Sequence, residues 1–292
     1  IALIGHGSSG KTMLAEAMSF VSNAIKRMGS VKEGTTVTDF DDEEIRRNIS
    51  LSMAMAPVEW RKMKVNVLDT PGDTDFVGEA RSALRVADLA VSVLDAASGV
   101  EVGTELTWRY ADEEGLPRAV VVNKMDRENA NFERCLDSLG EIFDDVQFLP
   151  LMLPIGAQDD FKGVVNLLER KAYMGPDGEP AEIPAELADQ VESMYTEIVE
   201  SAVEADEALM MKYFEDEELT PEEIFNGLRA VIAEGSWVPV LVAAGEETIG
   251  VRSLLDVLID ITPPPAIQTF EAENADGEVV AYPIGDDSPL AL

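Results

Sequence analysis

Short unbroken apolar runs alternate along the chain with stretches in which apolar residues return every three or four positions. Residues 1–4 form the first run, and Leu14, Met18, Val21 and Ile25 carry the helical spacing that follows. Together they predict a strand and then a helix from residue 11 to about residue 27. The same alternation predicts strands at 51–60, 65–68, 89–95 and 119–122, and helices near 76–86, 101–114 and 132–143. Arg61-Lys62-Met63-Lys64 is the expected turn between the first two of these strands. The runs at 90–94 and 119–122 are apolar nearly throughout, as strands covered by helices on both faces should be. Residues 29–48 break the pattern. They are polar and turn-rich, and too long for an ordinary connection, which marks a functional or mobile loop.

Near residues 151–157 the rhythm changes. A strand is expected at 163–168, then a turn at Gly175-Pro176-Asp177-Gly178, then two or three helices. One of these helices places Val191, Met194, Tyr195, Ile198 and Ala202 on one face. Another opens with Thr220 as N-cap, Pro221 at the first helical position and Glu223 closing a capping box. A strand at 238–242 and a helix at 251–261 restore the first rhythm, which Pro263-Pro264-Pro265 ends. The expectation is an α/β fold over residues 1–262, a mainly parallel sheet with helices on both faces. An α+β subdomain is inserted at about 156–236, and residues 263–292 read as a linker and the start of a further domain.

Chemistry enters at the first strand-to-helix junction. Gly5-His6-Gly7-Ser8-Ser9-Gly10-Lys11-Thr12 is G-x-x-x-x-G-K-[ST] in the strand–loop–helix setting it requires, which makes the fold a P-loop NTPase. Such a loop wraps a polyphosphate with backbone N–H groups at a helix N-terminus. Lys11 supplies charge to the β- and γ-phosphates, and the Thr12 hydroxyl can reach Mg2+. Two further motifs select among NTPases. Asp69-Thr70-Pro71-Gly72 follows a strand, so Asp69 can hold Mg2+ through a water and the Gly72 N–H can approach a γ-phosphate. Asn123-Lys124-Met125-Asp126 follows the buried strand at 119–122. Asp126 can accept from the two adjacent donors of guanine, which adenine lacks, and Lys124 can lay its stem over the base. These motifs in this order read as a G domain binding GTP or GDP.

Composition refines this picture. The chain is 46% hydrophobic, enough for a full core, yet every apolar run is too short to span a membrane. A lone Cys135 excludes an internal disulfide and suits a reducing, cytoplasmic setting, with Cys135 itself a packed helical residue. No secretory signal is visible, and a start inside a strand without Met leads us to expect that the natural N-terminus lies upstream. With 57 acidic and 22 basic residues the net charge is -35, which repels nucleic-acid backbones and argues against non-specific DNA or RNA binding. The acidic runs at 39–44 and 215–218 are expected to be solvated. Trp60, Trp108 and Trp237 read as core or interface aromatics, and His6, the only histidine, as a packing residue of the phosphate loop.

The three motifs, with the segments 99–105 and 154–168 and the Phe161-Lys162-Gly163-Val164-Val165 run, resemble the GTP-binding domain of translational GTPases, most closely elongation factor G. The resemblance covers nearly the whole chain. It implies a ribosome-stimulated, Mg2+-dependent GTPase, monomeric, in contact with ribosomal RNA and a stalk protein. In that family hydrolysis is coupled to translocation or to ribosome recycling. It also implies that residues 29–50 and 69–87 are the first and second switch regions, that 156–236 is the family's extra subdomain, and that 288–292 begins a β-barrel domain. The acidic helices of that subdomain are expected to meet the stalk protein. Lys11, Gly72 and Asp73 take the catalytic positions, with Thr12, Ser50 and Asp69 on the metal and Ala244-Gly245 beside the guanine. Three residues depart from the family pattern. Asp73 stands where His positions the attacking water, and its charge should push its side chain away from the phosphates. Ser50 replaces Thr but keeps the hydroxyl. Ala244-Gly245 replaces Ser-Ala, which should weaken nucleotide binding by on the order of 1 kcal/mol and spare guanine choice. These departures resemble a divergent paralogue. A regulatory ribosome-bound switch with weak hydrolysis, a ribosomal protection protein of the tetracycline-resistance type, and more distantly an ATPase, stand as alternatives.

Overall fold

The computed structural model describes residues 1–215, 217, 219–263, 269–274 and 277–283. Strand β1 (Ala2–Ile4) is wholly buried and runs into the glycine loop and helix α1 (Lys11–Val21). The helix ends six residues before the expected position. Asn23 takes a left-handed φ of 64° and the Ser22 N–H bonds back to Met18, a local C-terminal cap that the apolar Ile25 does not override. A long segment containing α2 (Asp42–Arg47) leads to the hairpin of β2 (Ala54–Trp60) and β3 (Met63–Asp69). Its turn is two residues, not four. Arg61 and Lys62 both have positive φ, 47° and 66°, the geometry that matches strand twist, and Met63 pairs with Trp60.

Then come α3 (Val77–Leu84), β4 (Ala90–Asp95), α4 (Val102–Glu113), β5 (Arg118–Asn123), α5 (Phe132–Ile142) and β6 (Gln147–Pro150). A second sheet holds β7 (Met152–Ile155), β8 (Gly163–Asn166), β9 (Lys171–Met174) and β10 (Glu179–Ala181). Helices α6 (Ala188–Val203), α7 (Glu207–Phe214) and α8 (Pro221–Glu234) follow, then β11 (Trp237–Val242) and α9 (Val251–Ile261). Strands β12 (Thr269–Glu273) and β13 (Val279–Pro283) form an antiparallel pair, while residues 288–292 lie outside the described residues.

The main sheet has the order β2-β3-β1-β4-β5-β11-β6 and is parallel except where β2 meets β3. Every residue of β4 and β5 is buried, as strands covered on both faces require, whereas the edge strand β2 alternates buried and exposed positions. The second sheet is antiparallel and opens at Met152, only one residue after β6 leaves the first. Strands β6, β7, β9 and β10 have three or four residues each, too few to register as a period in the sequence. Val164, Leu167, Leu228 and Ile232 belong to the same continuous core as Val240 and Leu254, so the second sheet and its helices are packed onto the first. Thr220 caps α8 through the expected reciprocal pair with Glu223. Trp108 and Trp237 are buried, and Trp60, at the end of β2, donates to Asp256 of α9.

Candidate nucleotide-binding site

The ends of β1, β3 and β5 bring the three sequence motifs to one edge of the main sheet, where open α/β sheets bind ligands. Gly10 is the N-cap of α1 with φ 96°, and a Cβ there would fall 2.5 Å from Asn123 Nδ2. The first turn of α1 therefore points its free N–H groups into the loop. Lys11 is 5% exposed and donates to the carbonyls of Gly5 (3.0 Å) and His6 (2.9 Å). Burial lowers its pKa to about 8, partly offset by Asp69 and reinforced by Lys124. Gly72 touches this loop so closely that a Cβ would sit 2.5 Å from Lys11 Nζ and 2.7 Å from the Gly7 backbone. His6 accepts from the Gly103 N–H at 3.2 Å and faces Glu101 at 3.6 Å, so it ties the loop to α4 as a packing residue.

On the other side of Lys11 is a cluster of oxygen atoms. Thr12 Oγ1 and Ser50 Oγ are 3.1 Å apart. Asp69 is 1% exposed; its Oδ2 accepts from Thr38 Oγ1 at 2.8 Å, while its Oδ1 has no hydrogen-bond partner. Burial raises the Asp69 pKa to about 6 against the pull of Thr38, Lys11 and Thr12. Asp39 is also buried, and desolvation raises its pKa against the opposing effect of the Ser50 hydroxyl. Adjacent hydroxyls, a buried carboxylate oxygen without a partner and a nearby second acid are the hard oxygen donors that Mg2+ takes. The donor set therefore fits Mg2+, which Thr12, Ser50 and Asp69 would hold.

Here the acidic run at 39–44 departs from expectation. Asp39 and Glu44 are buried rather than solvated. Glu44 accepts the N–H groups of Asp41, Leu51 and Ser52. Glu16, on α1, accepts those of Gly29 at 2.7 Å and Val37 at 2.8 Å. These carboxylates hold both halves of the 29–50 segment by its backbone. No local sequence signal marks such contacts, because their partners are peptide groups far along the chain. In the second acidic run, Glu215 and Glu217 are exposed, and residues 216 and 218 lie outside the described residues.

The base side is built around Asn123. Its Nδ2 donates to the carbonyls of Ser9 (3.1 Å) and Gly10 (3.4 Å), and its Oδ1 accepts from the Gly245 N–H at 3.0 Å. Asn123 thus braces the phosphate loop against the 244–245 segment, where Ala244 is fully buried. Lys124, at φ 61°, reaches across the loop to the Ser8 carbonyl and to Asp95 Oδ2. Asp126 is half-buried, and its carboxylate has no protein partner among the described residues. Asp73 follows Gly72 directly. It is exposed, and its side chain accepts from the Asp75 N–H at 3.0 Å, capping the turn that precedes α3.

A mixed, mostly parallel seven-stranded sheet with these three motifs on its edge defines a P-loop α/β fold of the GTPase kind. The model of the elongation factor Tu GTP-binding domain matches residues 1–264, and the chain belongs to that family of translational GTPases, which binds GTP and GDP. The crystal structure of a Thermus thermophilus protein superposes with a TM-score of 0.85 at 33% identity, covering 98% of this chain and 49% of the other. The chain spans about half the length of that relative. Among the described residues no helix is long and apolar enough to cross a membrane.

Proposed function

We propose that this chain is the catalytic G domain of a ribosome-stimulated GTPase of the elongation factor G type, which couples GTP hydrolysis to translocation or to ribosome recycling. The observation that supports it most is the convergence of Lys11, Thr12, Ser50, Asp69 and Gly72 on one side of the loop, with Asn123, Lys124, Asp126 and Gly245 on the other. On binding, Lys11 exchanges its two loop carbonyls for β- and γ-phosphate oxygens, and the α1 N-terminus and loop amides of residues 5–12 take the rest. Thr12, Ser50 and Asp69 would hold Mg2+, which when bound would supply positive charge to the phosphate oxygens. Gly72, packed against Gly7 and Lys11, would offer its N–H to the γ-phosphate. Asp126 accepts from guanine. Residues 29–50 and 69–87 act as switches that order around the γ-phosphate.

On this reading residues 1–262 form the G domain, about 156–236 its inserted subdomain, and 263–292 the approach to a second domain. Ribosomal RNA and a stalk protein are the partners, the protein is a cytoplasmic monomer, and its acidic surface faces away from RNA. The second reading, a regulatory switch with slow hydrolysis, is favoured by Asp73, whose carboxylate is engaged by the Asp75 N–H as a turn cap. GTP hydrolysis by the full-length protein, with and without 70S ribosomes, separates them. Strong stimulation supports the first reading. Tight GTP binding without stimulated turnover supports the second, and absence of guanine-nucleotide binding overturns both. Asp73→His should raise the stimulated rate, and an unchanged rate refutes a role for Asp73 in slowing it.

A further inference from the structure

Asp95 belongs to none of the three motifs, yet it stands at the centre of the base side. It is the last residue of β4, its side chain is 5% exposed, and it pairs in register with Asn123 of β5. Its carboxylate is fully used. Oδ1 accepts from the Ala97 N–H at 2.9 Å, and Oδ2 accepts from Lys124 Nζ at 3.1 Å and Arg127 Nη1 at 2.6 Å. Its main-chain carbonyl accepts from Ser98 and Gly99, so the residue is held through its backbone as well as its side chain. Burial alone would raise its pKa, but Ala97, Lys124 and Arg127 hold it below the usual carboxylate range.

Lys124 is the partner that matters. Its ammonium is shared between Asp95 and the Ser8 carbonyl, and its stem crosses Gly10 so tightly that a Cβ on Gly10 would lie 3.2 Å from Lys124 Cε. A lysine stem is otherwise free to adopt many rotamers. Here one end is set by a left-handed backbone at Lys124 and the other by an anchored carboxylate. The result is a flat apolar bar laid across the mouth of the phosphate loop, next to Asp126.

We propose that Asp95 is a positioning residue for nucleotide binding: it anchors Lys124 so that the lysine stem forms a preset platform for the purine ring, and so sets the residence time of the nucleotide. This rests on the guanine-nucleotide reading above. Asp95 touches no nucleotide itself and acts through Lys124. A preset platform spares the ordering that binding would otherwise require, so its loss appears mainly in the dissociation rate.

The test is release of a fluorescent, ribose-labelled GDP from the full-length protein by stopped flow, in a double-mutant cycle of Asp95→Asn with Lys124→Met. Asp95→Asn keeps an acceptor for the Ala97 N–H but removes the charge and presents an amide to Lys124. Asp95→Ser, a second variant, keeps that acceptor and is too short to reach Lys124. Each should release GDP about tenfold faster than wild type. In the Lys124→Met background neither should accelerate release further. A merely structural role would give the same acceleration with or without Lys124, together with a lowered melting temperature of the nucleotide-free protein, and would overturn the proposal. Wild-type release rates in either Asp95 variant would overturn it too. Failure of the wild-type protein to bind labelled GDP would instead refute the guanine-nucleotide reading.

Discussion

Replacing Glu16 by Gln tests whether the long segment after α1 is held by one buried carboxylate. Glu16 is 1% exposed, with one oxygen on the Gly29 N–H at 2.7 Å and the other on the Val37 N–H at 2.8 Å. Glutamine has nearly the same shape but only one acceptor oxygen, so one of these two N–H groups must face an NH2 group. A hydrogen bond to an ionised acceptor contributes about 1.5–3 kcal/mol, and a buried donor left without a partner costs about 1–3 kcal/mol. Taking about 2 kcal/mol for the exchange, local opening becomes roughly 30-fold more frequent, since 1.4 kcal/mol is a factor of ten. The two hydrogen bonds concerned join a surface segment to α1, not the core strands to one another, so the opening should be local. Hydrogen exchange in Glu16→Gln should therefore quicken by about that factor at Gly29 and Val37 and stay unchanged at the buried amides of β4. Exchange at Gly29 and Val37 within twofold of wild type would refute the latch. Equal acceleration in β4 would show that the residue supports the whole fold instead.

Asp69 and Lys11 give a pH dependence. The Asp69 pKa is raised to about 6, so in the empty site the folded protein holds an extra proton between about pH 4 and pH 6, and this group's contribution makes stability fall as pH rises through that window. Lys11, lowered to about 8, loses its proton earlier in the folded state, and its contribution makes stability rise with pH between about 8 and 10.5. A cation must displace the Asp69 proton, so Mg2+-dependent nucleotide affinity should weaken below about pH 6, as calorimetric titrations at pH 5.5 and 7.5 would show; equal affinities would exclude Asp69 from the metal site. Asn123→Ala removes the brace between Ser9, Gly10 and Gly245 and leaves the Gly245 N–H unpaired. It should cost about 2 kcal/mol or more in GDP affinity, roughly 30-fold by equilibrium binding. Thr220→Ala removes the α8 cap and should lower unfolding free energy by about 1 kcal/mol in urea, with nucleotide binding unchanged.

Local pattern carried a large part of this protein. The buried strands β4 and β5 were legible because continuous apolar runs have no other place than a sheet covered on both faces. The phosphate loop and the Asp69 and Asn123 motifs were legible because their chemistry is set by neighbours in the chain. The Thr220 cap was readable for the same reason. Elements shorter than a period were not: β9 is a strand because β8 offers it an edge, and β10 because β9 does. The early end of α1 turned on the left-handed Asn23, which outweighed apolar spacing. The buried acids were least legible of all. Glu16, Asp39, Glu44 and Asp95 look like surface charges in a chain of net charge -35, and only folding supplies the peptide N–H groups, hydroxyls and cations that make their burial tolerable. The sequence by itself determined which strands form the centre of the sheet and that the three motifs follow β1, β3 and β5. The tertiary structure alone decided which carboxylates hold those residues in place, because a buried charge takes its role from partners that the chain brings together only when it folds.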